Sequence, residues 1–88
     1  MIDGKELRAT REAAELTADE AGKRHRRTAT LTQEELAARV RALGEFCTRD
    51  YVAKVEGGRA GDISSRKAAA IARALGVSIE SLLEGVTP

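Results

Sequence analysis

Apolar residues recur along this chain at helical spacing, and no stretch alternates in the way a strand requires. Leu36, Val40 and Leu43 fall at i, i+4 and i+7. Val52 and Val55 fall at i and i+3, and Ala68, Ile71, Ala72 and Leu75 form a third stripe. Each set occupies one face of a helix. Start signals precede the stripes. Asp3 with Glu6, Thr17 with Glu20 and Thr32 with Glu35 have the capping-box spacing, while Thr48, Ser64 and Ser78 can cap alone. Gly44, the Gly57–Gly58 pair and Gly76 supply stops. The pattern predicts an all-α chain with helices at roughly 4–15, 18–28, 32–43, 48–56, 64–75 and 78–84.

The 88 residues suit one small domain. Alanine inflates the 42 % apolar content, and the larger apolar side chains are concentrated after residue 30. They suffice for a compact bundle of about five helices, of modest stability and open to gain from dimerisation.

Net charge is only +1, but it is unevenly placed. Residues 1–20 carry six acids against three bases, and residues 21–41 carry six bases against two acids. An acidic front and a basic middle suggest a face turned toward phosphates; a solvated mixed-charge surface explains them equally well. The KRHRR run at 23–27 reads as a solvated face before a phosphate clamp. With one cysteine, Cys47, and one histidine, His25, far apart in sequence, neither a disulfide nor a metal site can be assembled. Cys47 reads as a small, partly buried apolar residue. There is no apolar run to cross a bilayer and no signal-peptide pattern, so no membrane association and a cytoplasmic (bacterial nucleoid-associated) setting are expected. No nucleophile–base pair or paired carboxylates appear, so neither an enzyme nor a cofactor is expected.

Two short capped helices joined by a tight connection, with more helix behind them, form the frame of helix-turn-helix DNA readers. The segments LTQEELA (31–37), YVAKVEGGR (51–59) and IARALGVSIESLLEG (71–85) give the chain its resemblance to the Cro-type, lambda-repressor-like (XRE) helix-turn-helix family. The resemblance implies an added N-terminal helix or arm at 1–17 and the domain proper at 18–88, with 18–28 as its first helix; a single long helix through residue 28 is the competing arrangement. From Gln33 to Arg49 the chain is about five residues longer than the family spacing. The extra residues, roughly 41–45, lengthen the first helix of the pair or enlarge the turn. Ala68 and Ser65 stand where the family carries larger apolar residues, and Ile63 and Phe46 are expected to fill that space.

With Val52 and Val55 inward, the outer face of the helix at 48–56 carries Thr48, Arg49, Asp50, Ala53 and Lys54. In the major groove Arg49 can fork onto guanine O6 and N7. Asp50 can accept from a cytosine amino group or orient Arg49, Ala53 can touch a thymine methyl, and Lys54 can reach a guanine or a phosphate. The resemblance places Arg49, Asp50 and Lys54 at base-reading positions. Gln33, at a helix N-terminus, can hold a phosphate, and by resemblance it also braces the recognition helix. Tyr51 (half-buried against Val55), Arg59, Arg66 and Lys67 are further phosphate candidates, and Glu56 is expected to be structural.

The chain therefore reads as a sequence-specific, double-stranded DNA-binding transcriptional regulator, a repressor acting as a homodimer on an inverted repeat. Dimer contacts are expected through Ile79, Leu82, Leu83 and Val86, or through Leu7 and Leu16. The alternative is a protein-interaction adaptor or antitoxin whose partner docks on the acidic N-terminal helix.

Overall fold

The computed structural model describes residues 2–22, 30–61 and 63–83. They form five α-helices: α1 (Gly4–Ala13), α2 (Ala18–Gly22), α3 (Gln33–Ala42), α4 (Arg49–Glu56) and α5 (Ser65–Leu75), followed by a 3₁₀ turn at Ile79–Leu82. There is no strand among the described residues; Ile2 and Leu83 make one isolated antiparallel bridge, and the Asp3 N–H donates to the Leu82 carbonyl at 2.7 Å, clasping the two ends. The all-α expectation holds. No helix is long and apolar enough to cross a membrane among the described residues.

The caps act as the sequence suggests at most helix starts. Thr32 and Glu35 close a full capping box, and Thr17 and Glu20 bond reciprocally in the same way. Thr48 and Ser64 accept from the N–H groups of Tyr51 and Lys67. Asp3 accepts instead from Lys5 N–H, and Ser78 makes no side-chain cap bond, in keeping with the 3₁₀ turn that replaces the expected helix there. The expected helix at 18–28 is seen only as far as Gly22, because 23–29, with His25 and the KRHRR run, lie outside the described residues.

The core gathers Leu7, Leu31, Leu36, Val40, Val52, Ile71 and Leu82, all fully buried. α3 packs on α4 and α5, while α1 packs on α4 and the 3₁₀ turn. Residues 4–13, expected as an addition ahead of residue 18, thus share the core with the rest. Leu7 and Leu82 are spent inside the protomer, leaving half-buried Ile79, Leu83 and Leu16 from the expected dimer surfaces, with Val86 outside the described residues. Gly4 explains how α1 comes so close to α4: a Cβ there would collide with the Glu56 and Val55 carbonyl oxygens.

Two apolar residues depart from expectation. Leu43 is 42 % and Phe46 73 % exposed. Gly44 takes φ +95°, and the N–H groups of Gly44 and Glu45 cap the Arg41 and Val40 carbonyls. This ends α3 before Leu43 can continue the stripe and sends the following residues away from the core. Ile63, in contrast, is half-buried against the core as expected.

Arg39 staples three elements together. It grips Glu20 with Nε and Nη2 (2.9 and 2.6 Å) and donates to the Ala74 and Glu15 carbonyls. The guanidinium holds the Glu20 carboxyl down to about 2 from an ordinary 4.5. A depressed carboxylate stabilises the fold fully above its unfolded pKa and loses that contribution as pH falls through the folded one. Urea unfolding should therefore show stability falling between about pH 4.5 and pH 2 by up to about 3 kcal/mol from this pair. Arg39→Met should flatten that part of the profile; an unchanged slope would remove Glu20 as its source.

Candidate nucleic-acid interface

α3 and α4 are joined by residues 43–48, longer than the roughly three to four residues of a tight helix–helix turn. The extra length predicted near 41–45 has entered the turn. Arg41 closes it, donating through Nη1 to the Cys47 carbonyl (2.7 Å) and through Nη2 to Glu34 (2.8 Å). Cys47 is fully buried, and burial pushes its thiol pKa up, the opposite of what an activated thiolate needs.

α4 buries Val52 and Val55 and turns its other face outward. Arg49, Asp50 and Lys54 are exposed there with half-buried Ala53 between them. Among the described residues none of the three charged side chains is held in an ion pair; in particular, Asp50 does not pair with Arg49. Thr48 is half-buried, its hydroxyl occupied as the cap.

On one flank, Gln33, Thr32, Glu34 and Arg49 border an open hollow at the N-terminus of α3. Free backbone N–H groups at such an end favour an anion. Behind it lies a buried polar network. Arg11 grips Glu56 through Nε (2.6 Å) and Nη2 (3.0 Å) and donates through Nη1 to the Leu31 carbonyl (2.6 Å). Gln33 Nε2 donates to the same Glu56 carboxylate at 3.1 Å. Gln33 thus ties the start of α3 to the end of α4, and Glu56 has the structural place expected of it.

On the opposite flank, Tyr51 is half-buried, and the Lys67 ammonium sits 4.5 Å from its ring centroid and 5.9 Å from that of Phe46. Burial raises the Tyr51 hydroxyl pKa, so it remains a donor. Arg66, in the first turn of α5, is largely exposed and lies 3.8 Å from Glu45. Arg59 folds back against Gly57 beyond the end of α4, where the Gly58 and Arg59 N–H groups close the helix on the Val55 and Lys54 carbonyls. The fold thus gathers the expected base-reading residues on one face, with Gln33 to one side and Tyr51 and Lys67 to the other.

Residues 23–84, well over half of the chain, match the family described as a helix-turn-helix domain. The chain belongs to that family. No curated protein and no solved structure matches it. α3 and α4 lie within the matched span and pack against each other, and α1 lies ahead of that span while packing into the same core.

The basic middle reads differently in the fold. Arg39 and Arg41 serve the scaffold, and the remaining four bases lie outside the described residues. The acidic front is likewise mixed: α1 exposes Lys5 and Arg8 beside Glu6 and Glu12, with Arg8 and Glu12 paired at 3.4 Å. Arg11 is not among the residues that the sequence pattern singles out. The signal was its i+4 spacing from Leu7, which places both on one face. No group of His, Cys, Asp and Glu able to hold a metal occurs among the described residues.

Proposed function

We propose that the chain is a sequence-specific double-stranded DNA-binding regulator, a repressor that acts by occupying its operator, and that α4 is its recognition helix. The observation that carries this reading is the outward face of α4, where Arg49, Asp50, Ala53 and Lys54 stand together, the three charged ones with no ion pair among the described residues. Arg49 occupies the first turn, where the helix dipole disfavours a cation and a bound guanine would compensate it. Thr48 lies at the same end. Gln33 takes a phosphate on one flank; Tyr51, Lys67 and Arg66 take the backbone on the other, and Arg59 serves beyond the C-terminal end. With a net charge of +1, non-specific attraction is weak and base contacts must supply most of the discrimination.

Selection from a randomised duplex pool at near-physiological salt tests this reading. It should return one motif in two half-sites about one helical turn, roughly 34 Å, apart. A folded chain that enriches no motif would contradict it. The two-fold motif requires a homodimer, for which half-buried Ile79 and Leu83 offer the start of a surface. Sedimentation should then show a dimer at tens of micromolar, and a chain that remains monomeric on the duplex would refute that part.

A further inference from the structure

Phe46 is the chain's single phenylalanine, and it stands in solvent while its neighbours are fixed. Glu45 lies against Arg66, Cys47 is buried with its carbonyl held by Arg41, and Thr48 caps α4. The ring is therefore presented by a pinned segment. An exposed ring forgoes the gain of burial, and turns are ordinarily built from small polar residues.

Its position suggests what meets it. Phe46 lies just ahead of α4, on the flank where Lys67 stands over the Tyr51 ring. A recognition helix brings its N-terminal end closest to the base edges. The major groove there presents one apolar group, the C5 methyl of thymine, which a phenylalanine ring can cover. The geometry points to Phe46 as a specificity-determining residue that packs on a thymine methyl beside the bases faced by Arg49, with Lys67 holding the adjacent phosphate. This inference rests on α4 being the major-groove reader.

The test deletes the methyl alone. In the duplex recovered by selection, each thymine is replaced in turn by deoxyuridine, and affinity is measured for the full chain and for Phe46→Ala. One thymine in each half-site should be found at which deoxyuridine weakens the native chain about fourfold, the value of one methyl-sized apolar contact. At that site Phe46→Ala should show no difference between the two bases, and Phe46→Leu should retain part of it. At all other thymines the native chain and Phe46→Ala should respond alike. Deoxyuridine that costs the native chain nothing, or costs Phe46→Ala just as much at every position, would overturn the inference while leaving α4 as the reader. A Phe46→Ala chain that loses only self-association would also overturn it, making the ring a contact between copies. A native chain that selects no duplex would remove the reading of α4 as well, so the failures are distinct.

Discussion

Replacing Arg49 and Lys54 together with alanine should weaken binding to the selected duplex by about a hundredfold while leaving the fold intact. A good two-pronged base contact is worth about 1–3 kcal/mol, and a phosphate contact adds to it. Both side chains are exposed, with no ion pair to lose among the described residues, so stability should change by no more than about 0.5 kcal/mol. Removing Arg49 also relieves a cation at a helix N-terminus, which offsets part of any loss. The single changes divide the effect. Arg49→Ala should relax the preference at one base position in each half-site. Lys54→Ala, where its partner is a phosphate, should weaken all sequences alike and lower the slope of log affinity against log salt by about one. Titration of a labelled duplex at several salt concentrations separates these outcomes. Unchanged affinity in the double variant would move the interface away from α4 and favour a protein-binding role.

Glu56→Gln should cost about 3–5 kcal/mol in urea unfolding, a large share of the stability of a small domain. The Glu56 and Arg11 side chains are only 6 % and 9 % exposed. Glutamine retains the shape but removes the charge, leaving a buried guanidinium uncompensated. It also sets an amide N–H₂ against donors from Arg11 and Gln33. The double replacement Arg11→Met with Glu56→Leu should recover much of the loss, because a well-packed apolar pair often matches a buried ion pair. It should still impair DNA binding, since Gln33 would lose the carboxylate that fixes its amide. A Glu56→Gln chain within about 1 kcal/mol of the native one would show that the network contributes little.

The frame of the site was legible because its determinants are local. Thr32 with Glu35, Thr48 and Ser64 act within one helical turn, and Val52 and Val55 settle which face of α4 remains outside. The remainder depended on contacts between distant parts of the chain. Arg11 reads as a solvated charge until the fold brings it to Glu56, 45 residues later. Leu43 looks like the third residue of a stripe, yet the positive φ at Gly44 ends α3 first. Phe46 looks like core by composition, while the buried place in its segment goes to Cys47. Residues 4–13 read as an addition ahead of the domain, and only the burial of Leu7 and Arg11 brings them into the shared core.

Major-groove reading by α4 is decided by methylation interference on the selected duplex. Dimethyl sulfate marks guanine N7 in the major groove and adenine N3 in the minor groove. The structure predicts interference at guanine N7 within each half-site, lost at one guanine in Arg49→Ala, and none at adenine N3. Interference confined to adenine N3, or a guanine pattern unchanged in Arg49→Ala, would contradict it.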